Sequence, residues 1–141
     1  MGFHLEVAYH NDQTVTELRS EEDVDRFLHE LAHAGPDHTA ATVYAIDPDS
    51  VSDFPDHELT VGLNAANNVG AIRYSGEEGT WYSQGPTSNP QGVRFAYFGN
   101  AHDFPPNAEV PVTEVRAAVI DLLANGGSRP AVVTWQEAIE A

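Results

Sequence analysis

Hydrophobic and polar residues alternate with period two near the start of the chain. Phe3, Leu5, Val7 and Tyr9 are separated by polar or small residues, which is the pattern of a strand that is buried on one face. Short apolar segments bounded by turn residues follow along the chain, so strands dominate the predicted structure. These segments are 40–46, 59–63, 69–74, 80–82, 93–97 and 131–135.

Two segments instead carry the helical period, with apolar residues three and four positions apart. In the first, Ser20 is the predicted N-cap and three acids follow it, where the helix dipole favours them; Gly35 and Pro36 end the helix. The second is predicted to begin at Thr113 and to end at the Asn-Gly-Gly run 125–127. The predicted inner stripes are Val24, Phe27, Leu28 and Leu31 in the first helix, and Val115, Val119, Leu122 and Leu123 in the second.

The order of these elements favours an α+β fold, because the strands cluster together and the two helices stand apart from them. We expect a mostly antiparallel sheet of about six or seven strands, with both helices packed against it. Residues 59–97 are predicted to form an antiparallel meander, and 99–112 an irregular loop. The length fits a single domain over residues 1–141.

Charge is the most pronounced compositional feature. The chain has 22 acids against six bases, all arginine, for a net charge of −16. Such a field repels nucleic acid and anionic membranes and attracts basic proteins or cations, so we expect neither nucleic acid nor membrane as a partner. Solubility alone is the alternative explanation of the bulk charge. Arg73 and Arg94 lie within predicted strands, where pairing with carboxylates is expected.

Several classes of function are disfavoured by what the sequence lacks. Without cysteine there are no disulfides, thiolate nucleophiles or cysteine zinc sites. No nucleophile elbow, phosphate-binding loop or dinucleotide fingerprint is present. We therefore expect no catalytic residues and no cofactor. Neither a signal peptide nor a membrane-spanning apolar run is visible, so the expected location is the cytoplasm.

One motif points the other way. His29-Glu30-Leu31-Ala32-His33 matches the HExxH signature, in which two histidines one helical turn apart bind zinc and the glutamate activates water. On a helical wheel, however, His29 and His33 lie opposite the apolar stripe, on the solvent side. We therefore expect no functional metal site. A small zinc-dependent hydrolase using His29, Glu30 and His33 remains the alternative, as does incidental surface metal binding.

Two other groups of residues are candidates for contact with a partner. Asp49, Asp53 and Asp56 lie in an acidic, proline-containing loop, which is either simply solvated or a contact loop for a basic protein. Trp81 and Tyr82 lie on a predicted strand beside glycine-rich loops, where aromatic side chains are either core residues or interface anchors.

From about residue 58 onwards, short motifs follow one another in a specific order. They are Leu59-Thr60-Val61-Gly62, Asn68 to Tyr74, Trp81-Tyr82-Ser83, Tyr97-Phe98-Gly99-Asn100, Asp103-Phe104-Pro105, Val115 to Val119, Arg129-Pro130 and Trp135-Gln136. Together these motifs resemble the immunity proteins that bacteria encode beside polymorphic toxins, in the branch paired mainly with nucleic-acid deaminase toxins. The resemblance covers a little over half of the chain and leaves out the N-terminal third, including the HExxH motif.

The resemblance implies an α+β protein that binds and blocks its cognate toxin without catalysis or cofactor. A toxin that acts on nucleic acid needs a basic groove for phosphates, and an acidic inhibitor associates quickly with such a groove. The expected partner is therefore a basic, nucleic-acid-acting toxin domain. Asp49, Asp53, Asp56, Trp81 and Tyr82 are the candidate contact residues.

Overall fold

The computed structural model describes residues 4–8, 16–33, 39–46, 57–64, 66–76, 79–86, 88–90, 92–97, 100–125 and 129–137. Within these ranges the chain forms ten strands and two helices. They are β1 (His4–Ala8), β2 (Thr16–Leu18), α1 (Glu21–Ala32), β3 (Ala40–Ile46), β4 (Glu58–Asn64), β5 (Val69–Gly76), β6 (Gly79–Ser83), β7 (Val93–Tyr97), β8 (Asn100–Phe104), β9 (Val110–Pro111), α2 (Val112–Asn125) and β10 (Trp135–Glu137).

The main sheet has eight strands, and every described pairing in it is antiparallel. Seven strands follow the order β10-β6-β5-β4-β3-β1-β2, and β9 pairs with the beginning of β5. The predicted α+β fold is confirmed, with a slightly larger sheet than expected.

The order of strands differs from the prediction at β7. This strand does not continue the meander; it pairs with β8 in a separate two-stranded sheet, which we call the β7–β8 hairpin. The alternation of Val93 and Phe95 shows that one face of the strand is buried, but it carries no information about the pairing partner. The predicted loop 99–112 is likewise wrong in part, since β8 and β9 lie within it. The last strand begins at Trp135, after turns over 131–133.

Both helices form over the predicted segments, and the predicted cap of α1 is confirmed. The Ser20 hydroxyl accepts a hydrogen bond from the Asp23 backbone N–H at 3.2 Å, which caps α1. α2 begins at Val112, directly after β9, so Thr113 lies inside the helix and its predicted role as N-cap is wrong. All four stripe residues of α1 are buried, whereas Leu123 of α2 is half-buried and Ala118 takes part in the buried face instead.

The two helices share a core with one face of the sheet. Val24, Phe27, Val119 and Leu122 pack in the same cluster as alternate residues of the central strands, so both helices lie on the same side. The alternate strand residues in this cluster are Leu5, Val7, Ala41, Val43, Leu59, Val61, Leu63 and Ile72.

The β7–β8 hairpin covers part of the opposite face through a second, smaller core. Phe95 and Phe104 meet edge to face with their ring centroids 5.2 Å apart, and they pack against Ala40 and Ala71. A Cβ atom at Gly62 would lie 2.4 Å from Cγ of Phe95. The absence of a side chain at position 62 therefore permits the hairpin to approach the sheet.

Truncation of Leu122 tests the shared core, since Phe27, Val119 and Leu122 of the predicted helical stripes are all buried. We expect Leu122→Ala to reduce the free energy of unfolding by about 2–5 kcal/mol, because it leaves a cavity between α2 and the sheet. Urea denaturation measures this loss. Leu123→Ala is the matched control at a half-buried position, and equal losses in the two variants would contradict the assignment of the buried face.

Candidate functional site

The sheet face turned away from the helices is polar. We call this face the polar sheet face. Because side chains alternate along a strand, the residues between the core positions point to this face and form rows across it. One row runs through the paired residues Glu17, Glu6 and Tyr44 on β2, β1 and β3. A second row runs across β3, β4, β5, β6 and β10 through Thr42, Thr60, Arg73, Tyr82 and Gln136.

The second row and the β7–β8 hairpin enclose a polar cleft of about 440 Å³. Thr42 and Thr60 lie deepest, with only 5% and 8% of their surfaces exposed. Tyr82 forms one side of the cleft, and its ring meets that of Phe104 at 5.3 Å. Arg73 is half-buried in the same cleft. The cleft thus presents hydroxyl groups and one guanidinium, and its lining also includes the carboxylates of Glu58 and Asp103 and the imidazole of His102.

The hairpin side of the cleft carries a short, exposed ion pair. Arg94 Nε donates to Asp103 Oδ1 at 2.6 Å, across the β7–β8 register. This hydrogen bond and the arginine's charge lower the pKa of the Asp103 carboxyl and raise the pKa of Arg94. The expected pairing of strand arginines is confirmed for Arg94. Arg73, by contrast, forms no ion pair with any residue that the structure describes.

Glu6 and Glu17 of the first row form a cluster with His4 that the sequence did not predict. Nε2 of His4 lies 3.3 Å from Oε2 of Glu6 and 3.9 Å from Oε1 of Glu17. Within the described ranges, these are the three residues with spacing suitable for a metal ion, their ligand atoms all lying within 4.8 Å of one another. A protonated histidine that forms ion pairs with two carboxylates gives the same arrangement of atoms. The geometry therefore fits either a metal site or such ion pairs. The cluster depends on the β1–β2 register, and no sequence pattern indicated β2.

The HExxH motif lies on the solvent side of α1, as predicted. His29, Glu30 and His33 are all exposed. The two imidazole rings are 4.5 Å apart, and Nδ1 of His33 lies 2.8 Å from the backbone oxygen of His29. Among the described side chains, no third metal ligand joins this pair. The structure therefore gives the zinc-hydrolase alternative no support.

Trp81 and Tyr82 lie on opposite faces of β6. Trp81 packs towards the helix side, with its ring 6.2 Å from that of Tyr74 and the guanidinium of Arg129 4.2 Å from its ring centroid. Tyr82 lines the polar cleft. A partner that lies flat on one face of the sheet meets only one of these two aromatic residues.

The three candidate loop acids, Asp49, Asp53 and Asp56, lie outside the described residues. The described residues on either side of this loop are Ile46, which ends β3, and His57, which directly precedes β4. The Ala45 backbone N–H donates to Nε2 of the buried His57 at 2.9 Å, which ties the two ends together. Since Ile46 pairs with His4, the loop joins the sheet at the same end as the cluster of His4, Glu6 and Glu17.

Comparison with known proteins gives one family. The protein-family model described as Immunity protein Imm1 matches residues 12–137 of this chain. The match begins well before residue 58, so it includes α1 and the HExxH motif, which the resemblance seen in the sequence left out. No curated protein matches the chain. Among the described residues, no helix is long and apolar enough to cross a membrane.

The exposed histidine pair gives a direct test. We expect protein purified without an affinity tag to contain less than one zinc per chain, and His33→Ala and Glu30→Gln to melt at the wild-type temperature, because both side chains are exposed and lie outside the buried core. Elemental analysis and thermal melts measure both. His4→Gln is the control variant, because it changes the separate cluster of His4, Glu6 and Glu17. Stoichiometric zinc that is lost in His33→Ala but retained in His4→Gln would establish a metal site at the motif.

Proposed function

Because the chain belongs to the Imm1 immunity protein family, we propose that it binds a cognate secreted bacterial toxin and neutralises it by covering the toxin's active site. The family match over residues 12–137 is the observation that carries this proposal. Membership suggests an inhibitor without catalytic activity of its own. The site of action that we propose is the cytoplasm of the bacterium that makes the toxin, where a protective inhibitor is needed.

We propose the chemical character of the partner from the charge of this protein. The net charge is −16, and the polar sheet face presents Glu6, Glu17 and Glu58. A toxin that acts on nucleic acid has a basic groove for phosphates, and an acidic inhibitor of that groove gains in association rate through electrostatic steering. We therefore propose a basic, nucleic-acid-acting toxin. The ordered motifs between Leu59 and Gln136 favour a deaminase within this class.

The contact that we propose lies at the acidic end of the polar sheet face. The loop with Asp49, Asp53 and Asp56 joins the sheet there, and Glu58 begins β4 directly after it. Tyr82 lies on the same face. Trp81 lies on the other side of β6, so it joins the contact only if the toxin also reaches around the β10 edge.

Co-expression tests the function itself. We expect bacteria that express the toxin domain encoded beside this gene to survive only when this protein is also produced, and the two proteins to co-purify. The control is a Leu122→Ala, Val119→Ala variant, in which two buried residues of α2 are truncated and the fold is weakened. Survival without this protein, or failure of the wild-type pair to form a complex, would contradict the proposal.

Neutralising the loop acids tests the proposed contact. We expect the triple variant Asp49→Asn, Asp53→Asn, Asp56→Asn to associate with the toxin domain roughly threefold to tenfold more slowly at low salt. The difference should shrink as salt rises, because the Debye length is about 8 Å at physiological ionic strength. Stopped-flow mixing measures both rates.

The matched control makes the same change of charge elsewhere: Glu22→Gln, Glu30→Gln, Glu114→Gln, all at exposed positions on the two helices. Equal association rates for the two triple variants would show that only the total charge matters and that the loop does not face the toxin.

A further inference from the structure

Arg73 stands out among the arginines of this protein. It lies in the middle of β5, between Thr60 and Tyr82 in the sheet register, and it lines the polar cleft. Within the described part of the chain it forms no ion pair, whereas each of the other arginines has a described partner. Arg19, Arg26, Arg94 and Arg116 bind carboxylates, and Arg129 lies over Trp81.

The acids beside Arg73 do not neutralise it. Asp103 lines the same cleft, but Arg94 holds its carboxylate at 2.6 Å. Glu58 lines the cleft two residues from Thr60 along β4, and no ion pair joins it to Arg73. The hydroxyls of Thr42 and Thr60 can form hydrogen bonds, but they bring no charge.

A partner that covers the polar sheet face removes water from this cleft. An arginine that is buried without an ion pair is strongly unfavourable, and neither Glu58 nor Asp103 forms an ion pair with Arg73. A tightly bound partner therefore gains stability by supplying acceptors to this guanidinium. A carboxylate matches the planar guanidinium with two parallel hydrogen bonds, and the neighbouring Thr60 hydroxyl can donate a further hydrogen bond to it. The cleft, at about 440 Å³, has room for such a side chain.

We propose that the polar cleft receives an aspartate or glutamate side chain of the toxin, which Arg73 binds directly. This inference rests on the proposed function and adds the chemistry of one toxin residue. Glu6 lies three strands from Arg73 in the sheet order, and its row is offset from that of Arg73 by two residues along β3. At the usual strand spacing and rise, the two positions are about 16 Å apart. The matching toxin surface therefore carries an acid about 16 Å from the basic groups that face Glu6.

Such an arrangement selects as well as attracts. The acidic surface draws any basic toxin towards the protein, since steering depends on the summed charge. Once docked, a toxin with a lysine at the cleft meets the Arg73 charge and is rejected, because like charges in contact cost affinity. Arg73 would thus contribute to discrimination between related toxins rather than to the rate of encounter.

The test compares two variants with the same change of net charge, Arg73→Gln and Arg26→Gln, against a catalytically inactive form of the toxin domain encoded beside this gene. Arg26 is exposed on α1 and paired with Asp23. We expect Arg73→Gln to raise the dissociation rate at least about 30-fold, as for a desolvated charge pair. Arg26→Gln should stay within about threefold of wild type.

A third variant separates binding from folding. Arg73→Lys keeps the charge but loses the planar fork, so we expect a dissociation rate between those of wild type and Arg73→Gln. Thermal melts of all variants check the fold. If Arg73→Gln is unfolded at the assay temperature, Arg73→Lys decides: a wild-type dissociation rate in that variant would overturn the inference.

A double-mutant cycle identifies the bound group. Each surface Asp or Glu of the toxin domain is changed to its amide, and one such change should weaken binding of the wild type but not of Arg73→Gln. Equal dissociation rates for Arg73→Gln and Arg26→Gln, or no acid of the toxin coupled to Arg73, would overturn this inference and leave the proposed function intact. Failure of the wild type to bind would instead overturn the proposed function.

Discussion

Burial of the central strands on both faces is the constraint on which the structure depends. In β4, Leu59, Val61 and Leu63 pack under the helices, while Gly62 lies beneath Phe95 of the β7–β8 hairpin. A two-sided core of this kind leaves little sheet surface free. What remains open is the part of the polar sheet face that the hairpin does not cover, together with its cleft. The hairpin therefore both completes the fold and forms one wall of the candidate site.

The polar groups on this face combine two different electrostatic features. Glu6, Glu17 and Glu58 extend the negative charge of the molecule across the sheet, and exposed acids of this kind act over a distance set by salt. Arg73 acts only at contact, because its charge is half-buried in the cleft. An inhibitor with both features can attract a basic toxin quickly and still discriminate between toxins after docking. This division matches the general observation that surface charges govern association and buried pairs govern dissociation.

The HExxH motif shows how a sequence signature depends on its surroundings. His29 and His33 have the one-turn spacing of zinc ligands, yet they project from the solvent side of α1, opposite Phe27 and Leu31. The cluster of His4, Glu6 and Glu17 has no signature at all, because its members come from two strands that meet only through pairing. Spacing along a helix is thus a weaker indicator of a ligand set than convergence of side chains in space.

The sequence by itself determined the features that arise from local physics. The apolar stripe of α1, its Ser20 cap, the alternation of most strands and the acidic character follow from residues within a few positions of one another. Only the tertiary structure decided that β7 pairs with β8, that Trp81 and Tyr82 lie on opposite faces of the sheet, and that Arg73 lies in a cleft without an ion pair to any described residue. Strand pairing joins residues far apart in the chain, and alternation is equally compatible with several partners. The location of the candidate site therefore depends on long-range register, which the residue pattern does not encode locally.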